Sequence, residues 1–123
     1  MLDHVTFGVS DMDRAIAFYD RALAPLGVER LYDGRDGAVR VAAYGDSRPW
    51  FWIAEHDPTR GKLHIALTAA DRDAVDAFHR AALAAGGVDN GAPGLRPHYH
   101  PGYYGAFVLD PDGHNIEAVF HRG

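Results

Sequence analysis

The chain has 123 residues, 47% of them hydrophobic and 24% charged, with 12 Lys and Arg against 17 Asp and Glu for a net charge of −5. This is the balance of a soluble globular domain with room for one core, and the acidic surplus without any run of Lys or Arg argues against a nucleic-acid or anionic-membrane partner. There is no cysteine, so thiol nucleophiles, thiolate ligands and disulfides are excluded, and the opening MLDHVTFGVSDMDR shows neither a leader nor a membrane span, which makes the cytoplasm the expected compartment.

In chain order, the first element is a strand. Val5, Phe7 and Val9 take one face and His4, Thr6 and Gly8 the other. A helix follows, capped by Ser10 or Asp11, with Asp13 as the acidic member of a capping box if Ser10 is the cap. Its apolar stripe is Ile16, Tyr19, Leu23 and Leu26, and Gly27 stops it. GVERLYDG, AVRVAAYG and PWFWIAEHD read as three short strands between turns, and HDPTRGK, from His56 to Lys62, as a linker. The pattern then restarts. Leu63, Ile65 and Leu67 oppose His64, Ala66 and Thr68, and a helix carried by Val75, Phe78 and Leu83 ends at Gly86-Gly87. Strands are expected near Val88, in GYYGAFVLD and in HNIEAVFH.

Shifting the chain by 60 residues aligns HVTFGVSDMDRAIAFYDRALAPLGV with HIALTAADRDAVDAFHRAALAAGGV, with ten of 25 positions identical, among them His4/His64, Asp11/Asp71, Phe18/Phe78 and Gly27/Gly87. Such a repeat means two copies of one strand-helix-strand-strand-strand unit, here residues 1–57 and 62–123. The expected class is α+β: two paired βαβββ modules forming a cupped mixed sheet, helices on the outer face and polar faces lining the hollow. On the last strand, after the Asp112-Gly113 turn, Ile116, Ala118 and Phe120 share one face and Asn115, Glu117, Val119 and His121 the other. His4, His64 and Glu117 thus all fall on the face away from the helices. Two imidazoles and a carboxylate suit a facial divalent ion, iron or manganese foremost, with zinc or nickel possible. Structural histidines and a solvated glutamate are the alternative.

DHVTFGVSDMDRAIAFY, LHIALTA and DPDGHNIE resemble single-chain members of the vicinal oxygen chelate superfamily, which includes glyoxalase I, extradiol dioxygenases, fosfomycin-resistance and bleomycin-binding proteins. The resemblance covers essentially the whole chain. It implies an open cup around a metal, with the family's ligand positions falling on His4, His64 and Glu117. Glyoxalase-type members usually add a glutamate on the last strand of the first module. Matching YGDSRPWFWIAE to VLDPDGHNIEAV places Ile53 opposite Glu117, so that carboxylate is absent, and Glu55, on Ile53's face, is its only nearby substitute.

The segment NGAPGLRPHYHPGYYGA, from Asn90 to Ala106, is too rich in Gly and Pro for a regular element and dense in rings. His98 and His100, with Glu55, are the acid/base candidates. Tyr99, Tyr103, Tyr104 and Trp52 are candidate pocket walls, and Arg96 a partner for a substrate carboxylate. A dimer contact is the competing use of such a Tyr-rich loop. The expected function is a metal-dependent lyase, isomerase or dioxygenase acting on a small oxygen-chelating substrate. The alternative is a bleomycin-resistance-like protein that holds a planar compound among Trp50, Trp52 and Tyr103 without catalysis. A homodimer is expected, because a cup leaves edges and apolar rims to cover; whether modules pair within or between chains stays open.

Overall fold

The computed structural model describes residues 1–122. Its elements are β1 (Val5–Val9), α1 (Met12–Ala22), a short 3₁₀ turn (Ala24–Leu26), β2 (Glu29–Asp36), β3 (Val39–Gly45) and β4 (Pro49–Glu55). After the His56–Lys62 linker come β5 (His64–Thr68), α2 (Arg72–Ala84), β6 (Val88–Leu95), β7 (Tyr103–Leu109) and β8 (Asn115–His121). The repeat is therefore real in three dimensions. Each unit forms its own four-stranded mixed sheet, ordered β1-β4-β3-β2 in the first and β5-β8-β7-β6 in the second, with the opening strand parallel to the last and the other pairs antiparallel. The sheets are mixed because the helix carries the chain back before β2, so only β1 and β5 run against a crossover.

The helices start as repeat-related Asp residues dictate. Asp11 accepts from the Arg14 N–H and Asp71 from the Ala74 N–H. Ser10 is not the cap; its N–H and hydroxyl both donate to Asp112. The apolar stripes also differ in detail from expectation. Met12, Ala15, Phe18, Tyr19 and Ala22 are buried on α1 while Ile16 is half-buried, and on α2 Val75, Phe78 and Ala82 are buried while Leu83 is exposed. The 3.6-residue period continues 75, 78, 82, and Leu83 lies one position off that line.

The helix-covered faces of both sheets contribute to one core: Phe7, Val9, Ala42, Tyr44, Phe51 and Ile53 from the first, and Leu67, Ala106, Val108, Ile116 and Ala118 from the second. Burying each of Phe18, Phe51 and Phe78 contributes roughly 1.5–3 kcal/mol. The open faces lie outside that core, each turned away from it. No helix among the described residues is long and apolar enough to cross a membrane.

A polar seam joins the halves within this core. The buried Asp110 carboxylate accepts from the Tyr19 hydroxyl at 2.6 Å and from His114 Nδ1 at 2.9 Å, and His114 Nε2 donates to the Thr59 carbonyl at 2.9 Å. An acceptor opposite each nitrogen favours the doubly protonated ring. Burial pulls its pKa down, but the Asp110 and Thr59 hydrogen bonds outweigh that and hold it above the ordinary value. Burial likewise works against the Asp110 carboxylate, yet the hydrogen bonds from His114 and Tyr19 keep its pKa below the usual range. Thr59 itself is pinned to β1 through Gly8, which donates to its hydroxyl at 2.8 Å and accepts from its N–H.

Candidate functional site

On the open face of the second sheet, β5 lies parallel to β8 with Ala66 opposite Glu117 and His64 opposite Asn115. His64 therefore sits one pleat away from Glu117 on the same face. Its Nε2–H donates to Glu117 Oε1 at 2.8 Å. The other carboxylate oxygen accepts from the Tyr103 hydroxyl in a short hydrogen bond. Tyr103 comes from β7, where alternation puts Tyr103, Gly105 and Phe107 on the open face, and Gly105 supplies the room: a Cβ there would stand 3.3 Å from Glu117 Oε2. Burial, the hydrogen bond to Glu117 and the carboxylate's charge all push the Tyr103 phenol up, so it stays protonated as a donor.

Glu117 is only 1% exposed, while the His64 side chain is 47% exposed and its Nδ1 meets no partner among the described residues. The carboxylate is thus reached through the imidazole side. A cavity of about 460 Å³ opens there, lined by His64, Asn90, Arg96, Tyr99, Phe107 and Asn115. An imidazole nitrogen on the cavity wall and a carboxylate oxygen 2.8 Å behind it are residue types that suit a divalent first-row ion.

The third expected ligand is elsewhere in this chain. His4 Nδ1 bonds the neighbouring Asp3 at 2.8 Å on the exposed start of β1, and among the described residues no three His, Asp or Glu side chains converge to hold a metal. Of the loop residues, Tyr99 and Arg96 line the cavity, and Tyr99 packs edge-on against Tyr103 at 4.9 Å with His98 on its other side at 4.4 Å. His100 is engaged with His121, Nε2 to Nδ1 at 2.6 Å, and both rings edge against Tyr103. Tyr104 is not in the pocket: alternation turns it to the helix side, where its hydroxyl donates to Asp76 and Arg72 lies over its ring.

The match of Ile53 with Glu117 is corrected by the register. Thr6 pairs Trp52 in the first sheet as Ala66 pairs Glu117 in the second, so the counterpart of Glu117 is Trp52. The connection from Tyr44 to Phe51 is one residue shorter than that from Val108 to Ile116, and such a slip exchanges the two faces of a strand. Ile53 is in the core, and Glu55, on the same side, accepts the Met12 N–H at 2.7 Å at the start of α1. Trp52 instead lies on the first sheet's open face, 5.9 Å from Tyr32, over a recess of about 540 Å³ that includes Thr6, Val41 and Ala54. Sequence reasoning did not single out Phe107 or His121; their signal was the same alternation that selected Tyr103 and Glu117.

A family model described as the Glyoxalase/Bleomycin resistance protein/Dioxygenase superfamily matches residues 1–118. The chain belongs to this superfamily. Among solved structures, a glyoxalase/bleomycin resistance protein from Albidiferax ferrireducens is 29% identical, with 98% of each chain covered and a TM-score of 0.79. A FosX fosfomycin-resistance variant from Listeria monocytogenes, complexed with Mn(II) and a dihydroxypropylphosphonic acid, is 21% identical over 97% of this chain and 88% of its own, with a TM-score of 0.71. A glyoxalase I variant from Zea mays is 22% identical over 99% of this chain and 44% of its own, with a TM-score of 0.72. The last two share the fold of this superfamily member.

Proposed function

We propose that this superfamily member is a divalent-metal-dependent enzyme acting on a small substrate that offers two oxygens to the ion, of the glyoxalase-like lyase/isomerase or dioxygenase type. The observation that carries this reading is the 2.8 Å approach of Nε2 of His64, a residue lining the open cavity, to Oε1 of the buried Glu117. His64, Glu117 and His4 are the proposed ligands, and the donor set accommodates Fe, Mn, Ni or Zn. When bound, such an ion supplies Lewis-acid polarisation of the substrate's oxygens.

The chain's own groups account for the rest. Tyr103 holds Glu117 Oε2 and so aims Oε1 at His64. His64 presents Nε2 as a ligand when its proton is on Nδ1, which meets no hydrogen-bond partner among the described residues. Because both open faces turn away from a shared core, one chain keeps His4 from the pair, and the reading includes a homodimer in which a second copy brings its first sheet, with His4, over the second sheet. His98, packed against the cavity-lining Tyr99, and His100, packed against Tyr103, are the proposed proton carriers; Glu55 is committed to α1.

The test is metal analysis of tag-free protein together with light scattering. His64→Ala is expected to lose stoichiometric metal, as is Glu117→Gln, and mixing His4→Ala with His64→Ala subunits should restore metal to one site per dimer. Full metal in the His64→Ala protein would remove His64 from the ligand set. A second reading, a non-catalytic binder of planar compounds, is favoured by Trp52 standing where a fourth carboxylate would be, above the apolar recess it shares with Tyr32. Ligand affinity that is unchanged by metal removal would select it.

A further inference from the structure

Resting on that reading of the site, we infer that the substrate carries, besides the oxygens it offers the ion, a carboxylate that seats on Arg96. The guanidinium is built into place. Nη1 donates to the Gly94 carbonyl at 2.9 Å and Nη2 to the Ala92 carbonyl at 2.8 Å, and its carbon stands 5.4 Å from the centre of the Phe107 ring. These carbonyls turn toward the side chain because β6 breaks register between Asp89 and Gly91 and again between Gly91 and Gly94. Glycine is what lets the side chain lie there. A Cβ at Gly94 would stand 3.2 Å from Nη1, and one at Gly91, whose φ is 155°, would come 3.3 Å from Nη2 and 2.9 Å from Phe107.

A long, flexible cation has thus been fixed against one wall of the His64 cavity, and the entropic cost of ordering it is met by folding rather than by ligand binding. Among the described residues Arg96 forms no ion pair with a carboxylate, unlike Arg30, Arg40 and Arg48. A guanidinium has more N–H donors than the two that Ala92 and Gly94 occupy, and the remaining ones are available to an anion. Phe107 ties the two functions together, since its ring contacts His64 at 5.9 Å on one side and Arg96 on the other.

The geometry of the donors selects the class of anion. Among the described residues Arg96 is the only Lys or Arg side chain lining this cavity. Its planar fork matches the two coplanar oxygens of a carboxylate, and no second Lys or Arg there takes up the third oxygen of a phosphate or phosphonate.

The protein as purified is titrated with acetate, benzoate and inorganic phosphate, following by NMR the backbone amides of Gly91, Gly94 and Phe107, which border the Arg96 guanidinium and persist in every variant, with metal content measured on the same samples. Saturable shifts with both carboxylates are expected. Arg96→Gln should weaken them at least about tenfold, as when a charged hydrogen bond is lost, with metal content as in the wild type. His64→Ala should lose metal yet keep the carboxylate response, so failure of the metal reading and failure of this one register separately. Unchanged carboxylate binding in Arg96→Gln, or phosphate binding without carboxylate binding, would overturn the inference. If the glutamine variant misfolds, Arg96→Lys keeps the charge without the fork, and carboxylate binding at full strength in that variant would likewise overturn it.

Discussion

Two histidine-carboxylate-tyrosine sets occur in this chain, and they serve different ends. In His114-Asp110-Tyr19 every member is buried, both imidazole nitrogens have acceptors, and the group joins the linker at Thr59 to both halves of the core. In His64-Glu117-Tyr103 the carboxylate is as deeply buried, but the imidazole is half exposed and one of its nitrogens has no partner among the described residues. The same three functional groups, imidazole, carboxylate and phenol, thus make a structural clamp when sealed and a ligand pair when one edge is left open, because only the open set retains unused bonding capacity at a cavity. Residue type does not separate them; the saturation of their hydrogen bonds does.

The sharpest way to break this comparison is to remove one carboxylate at a time. Asp110→Ala leaves an imidazolium buried without its partner and is expected to cost about 3–5 kcal/mol in urea unfolding. Glu117→Gln keeps the shape and leaves His64 reachable by water, so it should cost only about 1–2 kcal/mol while abolishing metal binding. Equal destabilisation by the two would mean that the open set is also a clamp.

The pH dependence of stability sharpens it further. The His114 pKa is raised on folding, so its contribution is complete below about pH 6.5, the unfolded value, and is lost as pH rises through the higher folded value. The Asp110 pKa is lowered, so its contribution is present above about pH 3.8 and lost as pH falls through the folded value. Urea midpoints measured from pH 5 to 9 (on the order of the range where a histidine titrates) should therefore fall on the alkaline side in the wild type. The His114→Gln protein should lack that alkaline decline. A decline of the same size in His114→Gln would assign it to another group.

The smallest effects belong to the tyrosines. Tyr103→Phe removes a hydrogen bond from the proposed ligand and should weaken metal binding about tenfold with less than about 1.5 kcal/mol lost in stability. Tyr19→Phe should reverse the emphasis: a comparable loss of stability, by removal of a donor to Asp110, and metal affinity unchanged. Isotherms and melting curves for the two variants, recorded side by side, would show whether the two sets are as separable as their geometry makes them.

The amino-acid sequence by itself determined the two βαβββ units, the linker and the common face of His64 and Glu117. Each of these follows from an identity repeat or from a period of 2 or 3.6 residues, which acts locally along the chain. The tertiary structure alone decided the rest. A connection one residue shorter put Trp52 rather than Ile53 in Glu117's place, and the pairing of β7 with β8 decided that Tyr103 and not Tyr104 faces the site. The partners of His114, the bulged nest around Arg96 and the outward direction of both open faces depend on hydrogen bonds and packing between distant segments. No local period carries that information, so the residues that distinguish a clamp from a binding site become legible only when the sheets are assembled.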